Sequence, residues 1–137
     1  GLPPQTSLLL RGGTNAAFAP QADYMQHITL PMLHKLCGVR AEMTVNKRGF
    51  FPRGGGEVRV NVFRQQRITP FELLNRGDIV RIAGVVFSSG RVPDHVPTRI
   101  QEAAEKELKQ DPTLGAVPIS IEQEVSPSGS DGCGVVL

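Results

Sequence analysis

The stretch from Lys47 to Gly56 gathers three cations and three consecutive glycines. Lys47, Arg48 and Arg53 supply positive charge. Gly54, Gly55 and Gly56 supply backbone that reaches positive φ freely and lets another group come close. Charged donors beside accessible backbone suit a phosphate contact, with Arg48 and Arg53 as the candidate binders. A plainer reading competes with this one, because glycines at a hairpin serve turn geometry and cations at its end serve solvation. A phosphate-cradling loop of the P-loop type feeds a helix N-terminus. This stretch instead feeds alternating residues, so no P-loop is predicted. Phe50 and Phe51 read as packing rather than as a surface for stacking bases.

The remaining reactive side chains offer less. His27 and His34 are seven residues apart and share a helix face about 10 Å apart along the axis. That is too far for a single metal without further ligands. His95 has no partner in the pattern, and no Ser-His-Asp or Cys-His set can be argued from residue order. Cys37 and Cys133 have no metal-ligand spacing, and two free thiols in a reducing compartment are expected. No catalytic residue and no metal ligand is assigned.

The elements that must position the basic stretch are legible. Val39 to Asn46 and Glu57 to Val62 each alternate apolar and polar residues. Period-two alternation predicts two strands of an antiparallel hairpin, with the Gly/Pro segment as its long loop. Ahead of it, Thr6 to Leu10 reads as a strand. From Pro20 to Gly38, apolar residues recur at helical spacing with Gly38 as the C-terminal cap and a kink expected at Pro31. Residues 64–77 form a polar connection with Pro70 and Gly77. Asp78 to Phe87 reads as a buried strand and Ser88-Ser89-Gly90 as a break. A helix is predicted from Pro93 or Thr98 to Lys109, with Ile100, Ala103, Ala104 and Leu108 on one face. A strand follows over Val117 to Glu122, then a loop from Ser126 to Gly132 and an apolar run from Gly134. The expected class is α/β, in the α+β sense: two sheet-plus-helix units, residues 1–66 and 78–137, joined by residues 67–77.

Composition sets the frame. The chain has 137 residues, 39% of them hydrophobic and 20% charged, with a formal net charge of +2. Those values are ordinary for a globular chain, and the slight basicity permits nucleic-acid binding without arguing for it. No apolar run is long enough to predict a membrane span. The N-terminus lacks the pattern of a signal peptide and lacks an initiator Met, so a trimmed or partial chain is expected.

Two motifs carry a resemblance. Arg11-Gly12-Gly13-Thr14-Asn15, followed by Ala19-Pro20-Gln21-Ala22-Asp23-Tyr24, resembles a segment of the RNA 3'-terminal phosphate cyclases. Arg48-Gly49-Phe50-Phe51-Pro52-Arg53-Gly54-Gly55-Gly56-Glu57-Val58 resembles their second signature, and Arg76-Gly77-Asp78-Ile79-Val80 through Gly84 resembles the start of their inserted small domain. The likeness runs from about Leu8 to Leu137. It implies the end of one repeat of the large domain followed by much of the insert, incomplete at its C-terminus.

The resemblance implies an ATP-dependent enzyme, a ligase in class. AMP passes from ATP to an enzyme histidine and then to an RNA 3'-phosphate, and the neighbouring 2'-hydroxyl closes a 2',3'-cyclic phosphate. It implies ATP and a divalent metal, Mg or Mn, as cofactors, and RNA with a 3'-phosphate end as partner. Pro20 matches a nucleotide-contacting position, with Gln21, Asp23 and Tyr24 beside it as ATP-binding candidates. Arg48 and Arg53 become candidates for RNA phosphate. The nucleophilic histidine is expected beyond Leu137 and matches none of His27, His34 or His95. The isolated chain is therefore expected to be inactive and to associate with the missing N- and C-terminal segments. The location implied is the nucleus in a eukaryote and the cytoplasm in a prokaryote. Two alternatives stay open: a non-catalytic relative in ribosome biogenesis, and a plain RNA-binding module.

Overall fold

The computed structural model describes residues 4–65, 67–126 and 130–137. The chain divides into two compact units. The first contains the residues up to Leu74 together with Ser130, and the second contains Asn75–Ser126 and Asp131–Leu137. Both combine helix and sheet, so the α/β class holds.

The first unit is built on a three-stranded antiparallel sheet in the order β1-β3-β2. The strands are β1 (Gln5–Gly12), β2 (Ala41–Lys47) and β3 (Gly56–Phe63). Register explains the alternation read from the sequence. Leu8, Val60 and Met43 stand opposite one another, as do Leu10, Val58 and Val45, which places them on one face. The other face is polar: Ser7 donates to Asn61 at 2.7 Å, and Arg11 pairs with Glu57. The β2–β3 ladder carries a bulge at Asn46, because Val45 pairs with Val58 while Lys47 pairs with Glu57. The extra residue turns Lys47 onto the polar face.

The helical segment of this unit has three parts: α1 (Ala22–Tyr24), a π-helical stretch (Met25–Thr29) and α2 (Leu30–Cys37). The irregularity expected at Pro31 takes this form. Pro31 has no N–H to donate back into the preceding turn, and it stands at the start of α2. Leu30 N–H instead bonds to the Met25 carbonyl, five residues back. Gly38 ends α2 at φ 77°, with its N–H on the His34 carbonyl. The described residues between Phe63 and Ile82 contain no helix or strand.

The second unit is a mixed sheet in the order β5-β4-β6, where β4 (Ile82–Ser89) runs parallel to β5 (Ile119–Ser126) and antiparallel to β6 (Gly132–Val136). The crossover helix α3 (His95–Gln110) packs against all three strands. Val86, Phe87 and Ile121 are buried.

Both ends of β4 and of β5 differ from expectation. β4 begins at Ile82 rather than Asp78, because residues 78–81 are exposed and unpaired in any ladder. It continues through Ser88 and Ser89, whose backbones pair with neighbours on both sides; the central position outweighs their polarity. The break falls at Gly90, at φ 74°. β5 starts after Val117, whose N–H closes a turn onto Leu114, and extends to Ser126. Within α3, Ala103 is exposed rather than on the packed face. The loop expected over Ser126 to Gly132 lies partly outside the described residues. Among the described residues no helix is long and apolar enough to cross a membrane.

Candidate functional site

The two motif segments of the first unit meet through a buried ion pair. Arg48 presents both terminal nitrogens to Asp23, Nη2 to Oδ1 at 2.8 Å and Nη1 to Oδ2 at 3.0 Å. The two side chains are 2% and 1% exposed. Asn15 adds a third bond, Nδ2 to the Asp23 Oδ2 at 2.8 Å. Burial alone raises a carboxyl's pKa, but the hydrogen bonds from Arg48 and Asn15, with the Arg48 charge, outweigh it and hold Asp23 below its ordinary value.

Thr14 continues the link. Its N–H bonds to the Gly49 carbonyl at 2.8 Å, and its Oγ1 accepts the Gly49 N–H at 3.1 Å. At this crossing three backbones touch. A Cβ on Gly49 would lie 2.6 Å from the carbonyl oxygens of both Gly12 and Gly54. One on Gly56 would lie 2.7 Å from the Gly49 nitrogen. The glycine triplet thus splits its duties: Gly54 and Gly55 take positive φ, and Gly56 permits close approach.

The hairpin tip is closed in turn. The Gly54 N–H bonds to the Phe50 carbonyl at 2.8 Å. Ser130 Oγ accepts the Phe50 N–H at 2.5 Å and sits 3.1 Å from the Gly54 carbonyl as a donor.

Beside this junction lies an open groove of about 450 Å³ between the apolar sheet face and the helical segment. Leu10, Val58, Met43 and Met25 form its apolar walls, and Gly13, Pro20 and Gln21 line it from the first motif. Gln21 is steadied by its Nε2, which donates to the Ala16 carbonyl at 3.1 Å. The volume is that of an ordinary small-molecule cleft.

The sequence-predicted residues therefore separate. Pro20 and Gln21 line one groove. Asp23 is turned away into the ion pair with Arg48. Tyr24 is exposed and is not among the groove's lining residues. Arg48 does not project from the hairpin end: its guanidinium is closed over by Asp23 in the interior, with no open face for a phosphate chain. Arg53 is the exposed member of that pair. Phe50 is half-buried, but Phe51 is 89% exposed, so the packing expected of it is absent from this unit.

His27 and His34 line a second groove with Arg40 and Glu42. Among the described residues no three His, Cys, Asp or Glu side chains form a metal-ligand set. Thr14, Asn15, Gly49 and Ser130 received no role from the sequence. The two motifs hold two acids, Asp23 and Glu57, and three bases, Arg11, Arg48 and Arg53, so the sequence offered ion pairs between them without fixing Asp23 against Arg48.

A family model described as RNA 3'-terminal phosphate cyclase matches residues 2–133. Among named relatives, the probable RNA 3'-terminal phosphate cyclase of Dictyostelium discoideum is 39% identical over 111 residues, covering 80% of this chain and 25% of that protein. The RNA 3'-terminal phosphate cyclase of Metallosphaera sedula is 36% identical over 133 residues, covering 96% of this chain and 37% of its own length. That of Thermococcus onnurineus is 35% identical over 131 residues, with 96% and 37% covered. The chain thus spans a quarter to somewhat over a third of these relatives.

Proposed function

The chain belongs to the RNA 3'-terminal phosphate cyclase family, and on that premise we propose that it carries part of the nucleotide-binding wall of an ATP-dependent cyclase acting on RNA 3'-ends. The reaction in this reading answers a chemical difficulty. A phosphate monoester at neutral pH repels nucleophiles and offers no good leaving group. Transfer of AMP to an enzyme histidine, with loss of pyrophosphate, and then to the RNA 3'-phosphate creates a phosphoanhydride. The vicinal 2'-hydroxyl attacks the 3'-phosphorus, its proton is lost, AMP departs, and the 2',3'-cyclic phosphate remains.

The observation that carries the reading is the apolar groove with Pro20 and Gln21 at its edge. An apolar slot flanked by a proline ring suits the flat face of a purine, and Gln21 offers an amide to its edge. Tyr24, one turn on, is exposed and lies outside the groove's lining, and it is kept as an ATP-binding candidate on the motif alone. Asp23 and Arg48 act as positioning residues, because their ion pair fixes the first motif against the hairpin. Arg53 is assigned to RNA phosphate. None of His27, His34 or His95 is assigned the nucleophile. A divalent metal, Mg²⁺ or Mn²⁺, supplies screening of the triphosphate charge when bound. The described residues offer it no three-ligand set.

A chimera tests this: the chain replaces the matching segment of the Metallosphaera sedula relative, which supplies the remaining length. The folded chimera is expected to form a labelled AMP adduct with ATP. Pro20→Ala with Tyr24→Ala is expected to raise the ATP concentration needed for half-maximal labelling about tenfold at unchanged melting temperature, from the loss of a stacked apolar contact worth about 1.4 kcal/mol. A folded chimera that binds RNA but never labels would assign the chain to a binding role. Equal labelling in the double variant would remove Pro20 and Tyr24 from the nucleotide wall.

A further inference from the structure

We infer that the tip of the β2–β3 hairpin is a stacking platform for an unpaired base of single-stranded RNA. Phe51 is the stacking face, and Arg53 and Lys47 meet the flanking phosphates. The inference rests on the RNA reading above and names where the strand lies.

An exposed aromatic residue is common by itself. The setting of Phe51 is less so. It stands 89% exposed in a turn whose base is fixed on several sides. Phe50 and Gly54 bridge across the turn, and Ser130 bonds to the backbone of both. Arg48, three residues before Phe51, is anchored on Asp23. The ring is therefore presented by a braced loop, and little ordering remains to be done when a base arrives.

The charges around it fit a nucleic acid strand. Arg53 is exposed two residues after Phe51. The bulge at Asn46 turns Lys47 to the polar face, where Lys47, Arg11 and the backbone of Gly55 and Gly56 line a small groove of about 280 Å³. Glu57 lies in the same groove. Its carboxylate already accepts from Arg11 Nε at 3.1 Å and from Asn46 Nδ2 at 3.3 Å. The groove therefore keeps net positive charge through Lys47. Among the described residues neither Lys47 nor Arg53 is in an ion pair. Cations that track the backbone, with an aromatic face between them, are the combination by which proteins hold single strands without reading sequence.

The chain contains no tryptophan, so Phe51→Trp installs a lone indole at the tip. A short single-stranded RNA ending in a 3'-phosphate is expected to quench its fluorescence. A blunt duplex of the same sequence, whose bases are stacked on one another, is expected to leave it unchanged. Phe51→Ala is expected to weaken single-strand binding roughly five- to a hundredfold, with the salt slope unaltered. Arg53→Ala is expected to lower the salt slope by about one. If Phe51→Ala binds like the parent while Arg53→Ala lowers the slope, the platform is overturned and the RNA reading stands. Equal quenching by duplex also overturns the platform. If the parent chain binds no RNA, both fall.

Discussion

Replacing Arg48 with alanine is expected to cost about 3–5 kcal/mol of folding stability, because it strands the Asp23 carboxylate in the interior without its counter-charge. Asp23→Ala is expected to cost a similar amount by leaving the buried guanidinium without this carboxylate. The double variant Asp23→Leu with Arg48→Met removes both charges and keeps most of the volume. It is expected to lose much less than the two alanine costs combined. Urea unfolding midpoints at constant slope measure all three. Additive losses, or single losses below about 1 kcal/mol, would show that the pair does not act as a unit.

The same pair sets an acid signature. Asp23 is held below its ordinary value near 3.8. A carboxyl depressed on folding contributes stability that is fully present above the unfolded value. That contribution is lost as pH falls through the folded one. The parent should therefore weaken from about pH 4 downward. In Arg48→Ala burial, which favours the protonated form, is opposed only by Asn15 and a backbone N–H. The cost of that substitution should shrink as the pH is lowered.

Gly49→Ala and Gly56→Ala are each expected to destabilise by about 3 kcal/mol or more, through overpacking against backbone that has no room to move. The atoms in the way are the Gly12 and Gly54 carbonyl oxygens for one, and the Gly49 nitrogen and Gly12 oxygen for the other. A flexible side chain could swing aside, but three crossing main chains cannot. Gly12→Ala is the matched control. Its Cβ would meet nothing within 4 Å, so a change within about 0.5 kcal/mol is expected although Gly12 stands at the same crossing. Thermal melts of the three variants separate the cases. Equal effects at Gly12 and Gly49 would mean that general backbone flexibility, and not the crossing, decides the outcome.

The sequence made some of this legible and hid the rest for identifiable reasons. Val58, Val60, Met43 and Val45 announced the hairpin because a pleated strand converts burial into period-two alternation. Gly38 announced the helix end because few other residues take its left-handed backbone. Pro31 announced an irregularity but not its form, since several backbone repairs satisfy a missing donor. Arg48 was misplaced because a cation beside glycines in a loop reads as solvent-facing. Its partner lies in another motif, and only the tertiary fold brings the two together. Ser88 and Ser89 read as a break because their polarity is visible in the sequence and the central place of β4 is not. Phe51 reads as packing because an aromatic pair is commonly buried. The groove beside Pro20 and Gln21 was invisible as a volume, although two of its edge residues were named from the motif.

The pairing of β1 with β3 also fixes an order of assembly. β2 and β3 are consecutive strands joined by residues 48–55, so they can zip as comparatively local contacts. β1 must instead close a long loop to bring Gln5 opposite Phe63, and that closure entropy has to be met before any ladder bond repays it. The hairpin therefore belongs to the folding nucleus and β1 docks afterwards, on a template already made. In native-state hydrogen exchange the amides of β1 should open at lower free energy than those of β3, which sits between two strands. The polypeptide entering this fold first is the one that takes its place last.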